Sequence, residues 1–579
     1  MFFSLFLKGL NKLIDLLIEN GQVFNAFLKC FERKNIAIIN DRFYYIKETN
    51  LRYLNPKEIV DASDKFIIPG LIDIHMHIES SMIPPSTFSG AALFHGVTTV
   101  VADSHEIANV FGIEGIYAFM AQDTVMDIFY AIPSSVPSTV PERETTGGII
   151  GTAEVTELLE HPKVIALGEA MNFKGITSEP DSLIRNILQT VQTNKPFMPL
   201  EGHIPRVEGE DLAKFMYAGL NADHTHQSPE SILEKIGSGI FIELQKKSLT
   251  KENIAVINEH QLFEHVALIT DDIMPDNLIE GHLNANLRLG IQEGLDPVDA
   301  IYMSTYTPAR RMGFQDRGAI ASGLKADFIL LNDLESFAID CVYKDGRLVH
   351  RSGDALAFDQ EALDFPSHFY SSVNCAELTL DDLRIPVSRD VSEVMCNVIQ
   401  IQSVGTFTEH VKRPVKVKNG YLDWEASGLS LIIVQERYGK NRQVGYGLVE
   451  GALSDKGAVA TTWAHDHHNL MVMGTSSEDI LQAQREVLSL NGAYVVSQDG
   501  EVVATCPLPI GGILSDKALP EIGRDLKAVR QAMVNLGYDN TNEIMSFSTL
   551  SLPVSPQIKI TDFGMMDVHT HQLIPLMED

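Results

Sequence analysis

Two histidines separated by one residue, His75 and His77, stand at the end of a short apolar run, Leu71-Ile72-Asp73-Ile74. Side chains alternate faces along a strand, so both imidazoles project one way while Met76 projects the other. Two imidazoles on one face, at the end of a buried strand, can share a metal ion. Alone, an H-x-H pair reads as well as two half-exposed surface histidines. Later segments carry further residues of the same chemistry: Glu169 in VIALGEAMNF, His203 in EGHIP, His224 in ADHTH and Asp271 in VALITDD. Each also has an ordinary alternative, a histidine satisfied by a carbonyl or, for Asp271, a helix N-cap. Imidazole and carboxylate donors together suit Mn²⁺, Fe²⁺ or Zn²⁺. Thiolate ligation is excluded, because Cys30, Cys341, Cys375, Cys396 and Cys506 lie far apart with no C-x-x-C. The same scatter excludes a disulfide framework and suits a reducing compartment.

The segments that must position these residues alternate. Strand-like runs occur at 97–103, 127–133, 164–170, 222–226, 239–244 and 266–272, with helix-like runs at 182–192 and 229–236 between them. Such alternation over about 250 residues predicts a parallel α/β barrel, whose chemistry sits at the C-terminal ends of its strands. Upstream, LLIENGQVFN and NIAIINDRFYYIKE read as strands, with Asn20-Gly21 as a hairpin signal. A second strand-rich stretch, residues 318–349, carries an Asp345-Gly346 turn and reads as the returning half of the same small β-domain. Beyond residue 350 the character changes again, with further strands and a polar cluster, TTWAHDHHN, at 461–469.

The 579-residue chain has room for two to four domains, and 45% hydrophobic with 21% charged residues is ordinary for an enzyme. A formal net charge of −32 argues against nucleic acid as a partner, since phosphate would be repelled. The N-terminal MFFSLFLKGLNKLIDLLIENG is interrupted by Lys8 and Lys12 and offers no small-residue cleavage site. Its leucines, from Leu5 to Leu17, suit a short amphipathic helix, and no run is long enough to span a membrane. A cytoplasmic protein without a membrane partner is expected.

PGLIDIHMHIESSM resembles the first barrel strand of the amidohydrolase superfamily, and its Ile-Glu-Ser-Ser-Met tail resembles the adenine deaminases in particular. The resemblance implies an α/β chain: a (β/α)8 TIM-like barrel inserted in a small split β-sandwich, followed by a C-terminal α/β domain. It divides the chain into residues 1–65 and 318–370 for the sandwich halves, 66–317 for the barrel and 371–579 for the C-terminal domain. His75, His77, Glu169, His203, His224 and Asp271 match the family's metal ligands in order, with Glu169 bridging. The implied cofactor is a binuclear divalent centre, Mn²⁺ or else Fe²⁺ or Zn²⁺. A metal-bound hydroxide would attack C6 of adenine, with Asp271 as general base and then acid, giving hypoxanthine and ammonia in purine salvage.

Further motifs extend the resemblance over nearly the whole chain. VVADSHEIANVFG, 100–112, matches the loop after the second barrel strand, with Ser104 where proline is usual. His105 and Glu106 are thereby candidates for purine contact or proton transfer; the plain alternative is a helix start capped by Asp103 or Ser104. AHDHHN, 464–469, resembles the family's AHDSHN, which makes His465, Asp466 and His468 candidates for closing over the site. Asp272 joins the candidates for substrate contact, as does Thr225, which stands where the family carries glutamate after the histidine. Glu201 in EGH replaces the commoner aspartate. The partner is then a small purine, and a barrel enzyme of this size is expected to form a homo-oligomer. The rival readings are a deaminase of another aminopurine, a cyclic amide hydrolase of the dihydroorotase or hydantoinase type, and a metal-free scaffold. The cyclic amide hydrolases usually have a bridging lysine where Glu169 stands, and a scaffold would have lost ligands.

Overall fold

In a computed structural model, which describes residues 13–354 and 365–578, the chain after Gly70 forms eight barrel strands in sequence order. They are Leu71–His77, Val97–Asp103, Asp127–Ile132, Val164–Ala170, Leu200–Gly202, Ala222–Asp223 and Phe241–Leu244, with an eighth in two pieces, Val266–Leu268 and Asp271–Asp272. Every hydrogen-bonded neighbour pair among them is parallel, and Asp271–Asp272 pairs with Met76–His77, so the last strand closes on the first. Helices between the strands cover the outside. Leu183–Asn194 shows why: Ile184, Ile187, Leu188 and Val191 recur at helical spacing and are buried, and the Ser182 hydroxyl accepts from the Arg185 N–H. Ile72, Ile74, Val101, Ala131, Ala166, Ala267 and Ile269 from five strands pack as one buried cluster.

The segments flanking the barrel join in a single sheet of eight strands. Phe66–Pro69 pairs antiparallel with Phe328–Leu331, so the sheet hands over to the barrel at Gly70 and not at residue 66. The sheet wraps a core that includes Leu16, Ile18, Ile36, Phe43, Phe328 and Tyr343. Two glycine-containing dipeptides behave differently in it. Asp345-Gly346 is a tight hairpin, with φ of 51° and 73°. Asn20-Gly21 is not a hairpin: the strand Leu16–Asn25 runs through it, and its register against the next strand slips between Ile18 and Gly21. The positive φ that suits Asn20 to a turn serves here in a bulge, while the chain reverses after Asn25. The expected amphipathic helix falls largely on residues 1–12, outside the described ones; Leu16 and Leu17, at its end, begin the first strand.

The C-terminal region builds a nine-stranded sheet, with the helices Ser477–Ser489 and Leu519–Asn535 packed against it. It sits against the end of the barrel where the strands finish. Thr145 donates from its hydroxyl to Asp562 at 2.6 Å, Asn469 donates to the Thr145 carbonyl at 2.9 Å, and Phe111 stacks on Phe369 at 3.7 Å. Among the described residues no helix is long and apolar enough to cross a membrane.

At the opposite end, Asp127 opens the third strand and accepts from Arg317 at 2.8 Å and Lys325 at 2.9 Å, with Lys344 at 3.0 Å. Burial pushes its carboxyl up, but Lys344, Arg317 and Lys325 outweigh this and hold it below its ordinary value. A depressed folded pKa contributes stability above the unfolded pKa and loses it as pH falls through the folded one. Asp127→Asn is therefore expected to lower unfolding stability by about 2 kcal/mol near neutral pH. In urea titrations the gap between the two proteins should be constant above about pH 5 and narrow below about pH 4.

Candidate active site

The first strand ends with a register shift between Asp73 and Met76 against its neighbour, a bulge that re-aims the side chains beyond it. His75 and His77 finish with ring centroids 5.2 Å apart, both buried and both beside Asp271. His77 Nε2 lies 3.4 Å and His75 Nε2 3.9 Å from Asp271 Oδ1. His77 Nδ1 lies 2.9 Å from the Asp103 carbonyl oxygen, which can only accept; this fixes Nδ1 as the protonated nitrogen and leaves the Nε2 lone pair facing inward.

Glu169, from the fourth strand, divides its oxygens between two groups of imidazoles. Oε1 faces His77 Nε2 at 3.4 Å, while Oε2 faces His203 Nδ1 at 2.7 Å and His224 Nε2 at 3.0 Å. The last two nitrogens are themselves 3.0 Å apart. Burial works against the Glu169 charge, but His224 and His203 outweigh it and hold the carboxyl well below its ordinary range. The backbone N–H of Glu169 donates to Asp103 Oδ2 at 2.8 Å, and a Cβ on Gly168 would come within 2.1 Å of that oxygen. Residue 168 must therefore be glycine for Asp103 to reach in and fix its neighbour.

Asp271 sits in the left-handed region, φ 61°, where a non-glycine residue is uncommon, although aspartate tolerates it better than most. Thr270 holds it there, donating from its hydroxyl to Asp73 Oδ2 at 2.6 Å and from its N–H at 3.2 Å. Asp271 belongs to a strand and caps no helix. Asp272 accepts from the Ser80 hydroxyl at 2.5 Å, and Glu79 accepts from the Ile107 N–H at 3.1 Å. The Glu-Ser-Ser stretch thus braces the loops on either side of it. Glu79 also takes the capping role: Ser104 stands at the start of His105–Phe111 and makes no side-chain cap.

The six residues expected as ligands are thus brought together, and their donor atoms fit a divalent cation. Glu169 Oε2, His203 Nδ1 and His224 Nε2 converge within 3.0 Å, and His75 Nε2 is buried without a hydrogen-bond partner among the described residues. With the imidazoles neutral and their lone pairs turned inward, such a convergence would suit a cation in place of the protons. The trio His75, His77 and Glu169 and the trio Glu169, His203 and His224 each have donor atoms close enough to share one ion. Glu169 is common to both. His203 is the most open member, its side chain 31% exposed.

A second cluster adjoins the first. His105 Nδ1 lies 3.6 Å from Glu169 Oε1, and its Nε2 lies 3.4 Å from Glu106 Oε1 and 3.9 Å from Asp466 Oδ1. Glu106 is fully buried, with His465 Nδ1 2.6 Å from Oε1 and His468 Nε2 in contact with Oε2. Burial pushes the Glu106 carboxyl up, but His465, His468 and His105 together hold it well below its ordinary range. The loop carrying these histidines is locked from behind by Arg437, wholly buried, whose guanidinium donates to the carbonyls of His468, Ser372 and Gly511.

Thr225 stands apart. Its hydroxyl bonds Asp223 Oδ2 at 2.9 Å, inside a buried group in which Lys235 donates to the same carboxylate at 2.7 Å and Gln227 at 2.5 Å. Asp73, Arg437 and Glu243 were not singled out in the sequence, and Asp103 only as a helix cap, whereas its carboxylate holds the Glu169 N–H. Asp103 ends an apolar strand and Glu243 interrupts one, FIEL, and either pattern is a signal; nothing local marks Arg437. Burial, with the charge of Glu201, pushes the Glu243 carboxyl well above its ordinary range.

Comparison with known proteins places these features in a family. Residues 66–349 match the amidohydrolase family and residues 405–572 the adenine deaminase C-terminal domain. An adenine deaminase 2 of Oenococcus oeni is 52% identical over 97% of this chain and 98% of its own. Adenine deaminases of Clostridium perfringens and Lactobacillus delbrueckii are 49% and 46% identical, each over 98% of this chain and 99% of theirs. With relatives of this name 46–52% identical along almost its full length, the chain belongs to the adenine deaminase family.

Proposed function

We propose that this chain deaminates adenine hydrolytically, converting adenine and water to hypoxanthine and ammonia. The observation that carries this reading is the single cluster, buried but for His203, into which five barrel strand ends bring His75, His77, Glu169, His203, His224 and Asp271. These six residues would hold a pair of divalent ions, Mn²⁺ or Fe²⁺ foremost, with Glu169 shared between them. Such ions, when bound, act as Lewis acids that bring the ionisation of water close to neutral pH.

The protein's own residues have separable tasks. Asp271 is held in its unusual backbone by Asp73 and Thr270, so its carboxylate is fixed before substrate arrives. It accepts the proton of the attacking water and passes it to the exocyclic nitrogen as ammonia leaves. His105 lies between Glu169 and Asp466, where it can donate to a ring nitrogen of the purine as negative charge develops there. Glu106 is not free for that task, because both its oxygens are engaged by His465 and His468. It anchors the C-terminal loop, which closes the pocket and excludes water. Asp272, fixed by Ser80, and Asp466 are the carboxylates left to accept from the substrate's N–H groups. Thr225 has its hydroxyl turned to Asp223, so its place in the family's glutamate position takes a charge from beside the ligand without putting a new group in the pocket.

Ammonia release from adenine is the test. Protein stripped by chelator should be inactive and should recover when Mn²⁺, Fe²⁺ or Zn²⁺ is restored, with two ions per chain. Asp271→Asn should lower kcat by about 10²- to 10⁴-fold, the range of a lost general base. Absence of turnover by fully metallated protein would refute adenine as substrate and move the test to other aminopurines.

A separate outcome is expected for Glu106→Gln. Losing the charge that two buried histidines face should loosen the C-terminal loop and lower kcat/KM by about 10- to 100-fold, the size typical of a residue that supports a site from behind. Limited proteolysis should show faster cleavage near residues 464–469 while metal content is unchanged.

A further inference from the structure

Glu243 lies in the seventh barrel strand, Phe241–Leu244, with no exposure and with neither oxygen hydrogen-bonded among the described residues. Its neighbour Glu201 has a guanidinium partner, Arg311 Nη2 at 2.9 Å from Oε1, which Glu243 lacks. A buried carboxyl without donors is costly relative to an apolar residue of the same size. The groups that act on Glu243 are Glu201, Arg311 and Asp223, and the one guanidinium among them bonds Glu201 and Asn221.

The matching deficit lies just above it. With Nε2 turned toward Asp271, His75 presents Nδ1 to Glu243 Oε2 at 3.8 Å. With Nε2 turned toward Glu169, His224 has a buried Nδ1 that finds no partner among the described residues. The two rings stack at 3.9 Å, and each offers a ring nitrogen within 4.8 Å of the other's and of a Glu243 oxygen. His77 shows the completed arrangement, with Nδ1 donating to the Asp103 carbonyl. The unpartnered Nδ1 of His224, the Nδ1 of His75 and one carboxyl without a hydrogen bond face each other across a short gap.

We propose that Glu243 is a positioning residue for the metal centre, the shared acceptor for Nδ1–H of both His75 and His224. By taking those protons it fixes both rings in the tautomer whose Nε2 lone pair points at the cation, and it makes both better donors. The Glu201–Arg311 pair behind it supplies the nearest positive charge, so the acid is held in a polar layer beneath the site. This rests on the reading of the cluster as a metal centre, and the experiment separates the two.

Glu243→Gln and Glu243→Met are compared with wild type by chelator competition for Mn²⁺ and by nitrogen-15 NMR of the histidines in metal-free protein. Affinity should fall about 10-fold for glutamine, which keeps an acceptor, and about 100-fold for methionine, which has none, with the number of ions at saturation unchanged. In the metal-free spectra His75 and His224 should be Nδ1-protonated in wild type and mixed in the methionine variant. Unchanged affinity and unchanged tautomers would overturn the proposal, and loss of one ion per chain would make Glu243 a ligand instead. If wild type binds no Mn²⁺, the metal reading fails, while the tautomer comparison still decides the contact with Glu243.

Discussion

The ionised carboxylate of Glu169, buried in the mouth of the barrel, is the constraint from which most of the site follows. A charge taken out of water must be met by partners of opposite sign or it protonates. The partners here arrive on three other strand ends, His77 from the first and His203 and His224 from the fifth and sixth, and Asp271 from the eighth faces His77 in turn. No local stretch of chain could assemble them. Barrel closure is what places the first and last strands side by side, and the pairing of Asp271–Asp272 with Met76–His77 is where that closure is made. Fold and site therefore share the same hydrogen bonds. Asp73 and Asp103 show this directly: each sits in a strand, and each spends its carboxylate holding the backbone of a cluster residue or its neighbour.

The C-terminal domain is tied to the same constraint at one remove. Glu106 begins the helix after the second strand, yet its charge is met from the other domain, by His465 and His468. Those histidines keep their place because Arg437 gathers three carbonyls behind the loop. All of these partners lie in the C-terminal region itself, so the bonds that offset the burial of this arginine hold the loop independently of Glu106. What couples docking to the second cluster is the contact of His465 and His468 with Glu106. A separated barrel would leave Glu106 with His105 alone.

What the sequence revealed and what it hid divide along physical lines. The cluster residues were legible because each sits where a strand ends, and strand ends are marked by hydrophobic pattern. His75 and His77 are the clearest case, two residues apart on one strand. The bulge before them could not be foreseen, since nothing in Asp73-Ile74-His75 announces a register shift. Asn20-Gly21 and Asp345-Gly346 carry nearly the same turn chemistry, and only the second turns. What the dipeptide encodes is a positive φ; whether that becomes a hairpin or a bulge depends on what the flanking residues pair with. The partner choice of Glu106 was hidden for another reason: more than three hundred residues separate it from His465, and each end is unremarkable without the other.

Thr225 shows how a departure from a family pattern is to be weighed. Beside a metal ligand, exchange of an acid for a hydroxyl suggests altered chemistry. In the structure the hydroxyl is consumed by Asp223, whose remaining bonds go to Lys235 and Gln227 and to the backbone of Ile204. Burial raises the Asp223 carboxyl, but Lys235 and His224 outweigh this and keep it ionised. An acid at position 225 would bring a second negative charge to that carboxylate and compete for one lysine. The threonine instead adds a donor and stiffens the segment that carries His224. The exchange is thus explained from the side of the strand facing away from the substrate, and it leaves the pocket's chemistry to Asp271, His105 and the loop of the second domain.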